Sequence, residues 1–379
     1  MGENTASVSS ALIITNHLFR WAGSELVAIE FAEELVSRGI RVELFVTSAD
    51  PGFIKDIFGD RVRLHASEHT VDLQTIDLVY AQHHVFPLLL NLALDGDKVN
   101  RFPFLVWNHL SPFEPLELPG PFVEKHLADV ILSNSLETQS KLAEFGVPFT
   151  DARLWPNPAP RAFGRYPASD RVEVDLLAVS NHHTRELLDA FRLLEERGVR
   201  VRLIGEIGAK ERVTPEKIAS AASVVTIGKT VQYALRARRP VYCYGPHGGA
   251  GWLSTTNFGA SRRANFSGRS HPAKKSAEQI AEELLAGAQA ATEFAAGLNL
   301  PSLDFCLELL VDDLLEQARV TRADPVWQRH RLQFLSKAET KQAIALESNL
   351  CAGVRKFYLK ANRALDKQAK KDSGNPERS

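Results

Sequence analysis

Val224-Val-Thr-Ile-Gly-Lys-Thr-Val-Gln-Tyr-Ala-Leu235, followed by Arg239-Pro-Val-Tyr-Cys-Tyr-Gly-Pro-His-Gly-Gly-Ala-Gly-Trp252, is the stretch on which the fold turns. It opens with a short β-branched run, turns at Gly228 and enters a helix at Lys229. A buried β run, Val241 to Tyr244, and a glycine-rich loop follow. Strand, tight turn, helix and strand in that order make the repeating unit of a parallel α/β sheet. Unbonded amides at a helix N-terminus, joined by the Lys229 ammonium and the Thr230 hydroxyl, suit a phosphate or diphosphate. Gly228-Lys229-Thr230 looks like the end of a P-loop, but that motif needs a glycine five residues earlier, where Ser223 stands. No G-x-G-x-x-G opens a helix either, which argues against kinase, P-loop and standard dinucleotide readings. The plain alternative is an ordinary strand-to-helix turn.

Working outward, the same alternation fills the chain. Ala11–Thr15 reads as a buried strand, followed by a loop and a helix from about Glu25 to Arg38, with apolar positions at Leu26, Ile29, Phe31, Leu35 and Val36 and a stop at Gly39. Val42–Val46, Leu78–Tyr80, Phe104–Trp107 and Val130–Ser133 are further strands. Trp155-Pro-Asn-Pro-Ala-Pro160 interrupts the pattern as an extended connector. Beyond it come strands Val174–Val179, Val201–Ile204 and Val224–Thr226, with a helix over Thr184–Arg197. The expectation is two Rossmann-like lobes joined by a proline-rich hinge, with a ligand cleft between them. The lobes span residues 1–160 and 161–320, and a helical extension with a basic tail covers 321–379. In that extension Leu346, Leu350, Val354, Phe357, Tyr358, Ala361 and Leu365 recur at helical spacing. Two readings of it are a helix packed on the body with a solvated polar face, and a helix lying on an anionic membrane surface.

Composition sets outer limits. The chain has 379 residues and a formal charge of -1, which gives no global attraction to nucleic acid. Its three cysteines, Cys243, Cys306 and Cys351, are too dispersed for a zinc site or a disulfide framework, so a reducing, cytoplasmic setting is expected. The longest apolar stretch, Val85–Leu94, falls well short of a membrane span.

These pieces resemble a family. Trp21-Ala-Gly-Ser-Glu25 before a helix, Ser37-Arg-Gly-Ile-Arg-Val-Glu-Leu44, Ser133-Asn-Ser135 and Trp155-Pro-Asn157 are similar to motifs of bacterial GT-B glycosyltransferases, family 4-like enzymes of polysaccharide biosynthesis. Thr226–Leu235, Pro240–Leu253 and Asn265-Phe-Ser-Gly-Arg269 continue the likeness in the second lobe. The resemblance covers roughly residues 10–300. It implies a metal-independent glycosyltransferase that takes a nucleotide-diphosphate sugar as co-substrate and needs no other cofactor. The same resemblance implies a glycan or lipid-linked acceptor and anomeric retention; contact with the inner face of the membrane is the second of the two readings of the C-terminal helix. One departure is plain. The family's two glutamates, eight positions apart around the donor-site helix, are missing from Gly228–Leu235, where Lys229 and Gln232 stand. A non-catalytic glycosyltransferase-like binding subunit and a sugar-nucleotide epimerase are therefore kept as alternatives.

Candidate residues follow from strand ends. Gly228, Lys229, Thr230, Lys210 and Arg212 supply dipole and cations for a leaving diphosphate. His182, which opens a helix after a second-lobe strand, and Gly248, Gly249 and Trp252 would complete the donor site, with Trp252 stacking on a base or sugar. Gly23 and Ser24 would face the acceptor. His109 would orient the sugar or move a proton, and Glu114 would contact acceptor hydroxyls. Asp95-Gly96-Asp97 has the Asp-x-Asp form of metal-dependent enzymes but reads as turn chemistry, so no metal is expected.

Overall fold

The computed structural model describes residues 7–95, 99–111, 113–114, 117–147, 151–165 and 173–373. Gly96 and Asp97, with the side chain of Asp95, lie outside them, as do the side chain of Leu365 and the end of the basic tail. Two compact units emerge. The first comprises Met1–Phe19, Leu35–Ile131 and Gln317–Ser379; the second comprises Arg20–Glu34 and Leu132–Glu316. Both are discontinuous in sequence.

The first unit supplies β1 (Ser10–Leu18), β2 (Arg41–Ala49), β3 (Val62–His65), β4 (Leu78–Ala81), β5 (Phe104–His109) and the first half of β6 (Val130–Ser133), whose end falls in the second unit. With β7 (Ala152–Leu154) they form a seven-stranded sheet of order β3-β2-β1-β4-β5-β6-β7. Pairings β1–β2, β1–β4, β2–β3 and β4–β5 are parallel. Ala11 to Ile14 in β1 and Leu78 to Ala81 in β4 are completely buried, as expected of central parallel strands covered on both faces. The order reverses between β1 and β4, the switch point of a Rossmann sheet.

The long helix Ala338–Ser373 belongs to this unit and packs on the helix Phe86–Asp95. Ile344 and Cys351 join the core there, together with Leu335 from the preceding helix. Two buried carboxylates fasten the C-terminal helices. Asp77 pairs with Arg322 and Arg101, and Asp129 accepts hydrogen bonds from Trp327 Nε1 at 2.8 Å and Arg331 at 2.7 Å.

In the second unit β8 (Val174–Val179), β9 (Val201–Ile204), β10 (Ala221–Thr226), β11 (Val241–Gly245) and β12 (Gly248–Trp252) form a sheet of order β12-β11-β10-β8-β9. β8, β9, β10 and β11 run parallel, and β12 returns antiparallel to β11. The glycine-rich segment expected as a loop is therefore an edge strand. A Cβ on Gly249 would stand 2.0 Å from the Cys243 carbonyl oxygen, so only glycine lets the two strands close up. The proline-rich segment also differs from a bare connector. Trp155 is buried with its ring edge toward Phe31, Asn157 takes a left-handed φ of 48°, and Ala159 bridges Cys306. Proline suits this buried segment because the hydrogen-bonded amides are those of Trp155, Asn157 and Ala159, which alternate with Pro156, Pro158 and Pro160.

Candidate functional site

In the second unit the sheet order reverses between β8 and β10, so the turns that follow these strands flank the switch point, where open α/β sheets bind ligands. After β10 the chain turns at Gly228, with φ 62° and ψ -135°, and enters the helix Lys229–Arg236. A Cβ there would meet nothing within 4 Å, so glycine is required by the backbone conformation and not by crowding. After β8, Ser180–Thr184 leads into the helix Arg185–Glu196, whose N-cap Thr184 makes no side-chain cap hydrogen bond. After β9, Gly205 has φ 129°, and a Cβ on it would stand 1.9 Å from the Ser180 carbonyl oxygen. The turns after β8 and β9 therefore touch backbone to backbone.

Behind the Gly228 turn lies a buried polar cluster. Lys229 Nζ is 2.8 Å from Glu30 Oε2, donates to the Pro158 carbonyl at 3.0 Å, and stands 5.1 Å from the centre of the Tyr233 ring. The Tyr233 hydroxyl donates to Glu30, and its ring stacks on Phe163 with centroids 4.1 Å apart. Arg212 makes a two-pronged contact with Glu33 at 2.6 and 2.7 Å and approaches Glu30 at 4.0 Å. Two carboxylates thus face two cations. Burial drives Glu30 upward and Lys229 downward from their ordinary values, and their attraction for one another offsets this only in part. Burial works against the Arg212 charge as well, but Glu33 and Glu30 raise it.

Several of the candidate residues meet here. Arg212 lies over the Trp21 ring, 5.6 Å from its centre, and Asn181 Nδ2 donates to the Trp21 carbonyl at 3.2 Å. Trp21 leads into Gly23, where the helix Gly23–Ser37 begins, and Ser24 donates to Glu25. Gly23 and Ser24 therefore belong to the same unit as Lys229, Arg212 and Asn181. Thr230 is buried at the start of its helix. Lys210 stays largely exposed, 3.3 Å from Glu206. His182 is exposed, while its neighbour His183 holds both ring nitrogens buried without a hydrogen-bond partner. Burial, then the nearby His182 charge, lowers the His183 pKa, favouring the neutral ring. Gly248 and Gly249 serve the β11–β12 pairing and its contact with His271–Ala273. Trp252 packs edge-on against Tyr242, and its Nε1 donates to the Glu283 carbonyl at 2.8 Å.

Sequence reasoning missed Glu30. Its signal was a carboxylate four residues after the core position Leu26, a place on the apolar face where a charge needs a partner. A second feature of this unit was also missed. An open recess of about 260 Å³ is lined by Asn134, Ser135, Leu136, Leu154, Pro156, Phe258, Gly259, Arg262 and Arg263, joining two of the short motifs quoted above.

In the first unit His109 ends β5 and is completely buried. Its Nε2 stands 2.6 Å from Glu124 Oε1, and its Nδ1 lies 2.8 Å from the Glu117 carbonyl. Burial alone would lower its pKa, but Glu124 and Glu117 carry it above the ordinary value. Glu117 also accepts hydrogen bonds from the Leu110 and Ser111 amides and faces His83 at 3.5 Å. The position expected to meet substrate is thus the interior of a histidine–carboxylate network. Glu114 is exposed. Among the described residues no group of three or more His, Cys, Asp or Glu side chains could hold a metal ion, and no helix is long and apolar enough to cross a membrane.

No protein-family model matches the sequence, and no curated protein matches it. Solved structures do. Anabaena HepE in complex with UDP-glucose is similar with a TM-score of 0.50 and 13% identity, covering 80% of this chain and 99% of that one. A UDP-N-acetylglucosamine 2-epimerase has a TM-score of 0.46 and 11% identity, with 86% and 97% covered. WaaG, a glycosyltransferase involved in lipopolysaccharide biosynthesis, has a TM-score of 0.45 and 12% identity, with 80% and 99% covered. At such identities the HepE likeness shows the fold, which is the two-lobed α/β architecture called GT-B, here with C-terminal helices added.

Proposed function

We propose that the protein is a glycosyltransferase that moves a sugar from a nucleotide-diphosphate sugar to a glycan or lipid-linked acceptor, without a metal ion and with retention of anomeric configuration. The observation that carries this reading is the switch point of the second unit, where the Gly228 turn and the Ser180–Thr184 turn open side by side in a fold shared with a UDP-glucose-binding protein. In this reading the backbone amides at the start of the Lys229–Arg236 helix face the diphosphate, and the neutral His183 ring, its nitrogens buried, supports the Ser180–Thr184 turn beside them. Arg212 holds the Trp21–Ser24 turn against the same edge, and Gly23 leaves room for a ligand to approach the backbone. Lys229 acts through Glu30, fixing the turn from behind. His109 acts from the interior of the first unit by holding the Leu110–Ser111 backbone through Glu117. Surface polysaccharide synthesis in the cytoplasm is the setting that fits the sequence resemblance.

Calorimetric titration with UDP-, GDP- and dTDP-sugars tests the reading. Micromolar binding of one nucleotide, weakened by His183→Ala, is the expected result, and silence toward all three would overturn it. A second reading, a non-catalytic binding subunit, draws on the neutralisation of Lys229 by Glu30, which leaves the site without a spare lysine charge at the Gly228 turn. Nucleotide-sugar hydrolysis by the pure protein would exclude that reading. Conversion of the donor with no acceptor present would point to an epimerase.

A further inference from the structure

The helix Ala338–Ser373 has two dissimilar long faces. Its inner face is completed by Ile344, Glu347, Cys351, Arg355 and Tyr358. Glu347 is the chief anchor. It is buried, stands 2.5 Å from His84 Nε2, and accepts the Val123 and Phe122 amides at 2.7 and 3.1 Å. Arg355 reaches Glu68 at 3.3 Å, and Tyr358 lies 3.2 Å from His17. None of these contacts uses the apolar residues of the other face. Leu346, Leu350, Val354 and Phe357 are 65%, 54%, 48% and 76% exposed. At about 100° per residue they fall in one stripe about 80° wide. The helix thus packs on the body through its other face, which includes Tyr358, while these four of the periodic apolar positions stay open.

Charge tells what covers this stripe. Lys356 and Lys360 are exposed and border it. From Ser348 to Leu365 the sequence holds no acidic residue and carries Arg355, Lys356, Lys360 and Arg363. Glu339, near the helix start, is the exposed acid on this side. A parallel second copy laid along the stripe would bring lysines against lysines, whereas an antiparallel copy, which brings Lys360 toward Glu339, is the dimer that the experiment below distinguishes. A bilayer rich in anionic headgroups accepts the four apolar side chains and neutralises the bordering lysines, whose stems reach outward to the phosphates.

We propose that the Leu346–Phe357 face, with Lys356 and Lys360, seats the protein on an anionic membrane surface. This deepens the reading above, resting on it for the lipid-linked acceptor. The test uses the full chain with vesicles of phosphatidylcholine and with an about 2:1 mixture of phosphatidylcholine and phosphatidylglycerol. Sedimentation with the mixed vesicles is expected, reversed by salt. Partitioning should fall at least about tenfold in Lys356→Glu/Lys360→Glu and likewise in Leu350→Glu/Phe357→Glu. No binding by the wild type, or binding that both variants retain, would overturn the proposal. So would a dimer in solution that Leu350→Glu/Phe357→Glu abolishes while vesicles leave the protein unbound. Nucleotide-sugar titration of the same preparations separates the two claims. Vesicle binding without nucleotide binding upholds the membrane face and removes the transferase, and the converse removes the membrane face alone.

Discussion

At the scale of single residues, Gly228 and Lys229 are adjacent but do different work. Gly228 sits at φ 62° and ψ -135°, a conformation that costs other residues of order 1–3 kcal/mol. Gly228→Ala should lower unfolding free energy by about that much in urea titrations, although the new methyl group meets no neighbour. Lys229→Met leaves Glu30 buried opposite a lost charge, so a loss of about 3–5 kcal/mol is expected. Adding Glu30→Gln should recover a measurable part of it, because the uncompensated carboxylate goes. A double variant as unstable as the sum of the singles would show that the pair is not coupled. Gly228 could be read from the sequence as a turn. The pairing of Lys229 could not, since Glu30 is some two hundred residues distant along the chain.

At the scale of elements, buried ion pairs tie helices to strands and set how stability follows pH. His109 has a raised pKa between Glu124 and Glu117. Its contribution is complete below the ordinary histidine value of 6.5 and is lost as pH rises through the folded value. His109→Gln should therefore flatten the alkaline side of a stability–pH curve. Asp77 behaves in the opposite sense. Burial pushes its pKa up, yet Ser9, Arg322 and Arg101 together bring it below the ordinary value of 3.8. Its contribution holds above that value and is lost as pH falls through the folded one, so Asp77→Asn should flatten the acid limb. Urea unfolding of each variant across pH checks both slopes. The main strands and the first helix were legible because apolar runs and glycine stops mark them. Strands β3, β7 and β12 were not. β3 alternates apolar residues with Arg63 and His65, β7 has three residues, and β12 is glycine-rich, held by pairing with β11 and not by its own propensity.

At the scale of the whole molecule, a ligand that binds only the folded chain must raise its stability. With the preferred nucleotide sugar at a hundred times its Kd the gain is about 2.7 kcal/mol, readable as an upward shift of the thermal midpoint. Absence of any shift with UDP-, GDP- and dTDP-sugars would count against the transferase reading. The amino-acid sequence by itself determined the α/β class, the order of most strands, the turn at Gly228 and the helical C-terminus. Each of these rests on local periodicity and on residues with restricted backbone freedom. Tertiary structure alone decided which charges are used up and which faces are left open. Glu30 reaches Lys229, Glu347 reaches His84, and the Leu346–Phe357 stripe points away from its own core. Helical spacing groups residues on one face of a helix but is silent about what that face meets. That depends on contacts between segments far apart in the chain, which form only when the chain has folded.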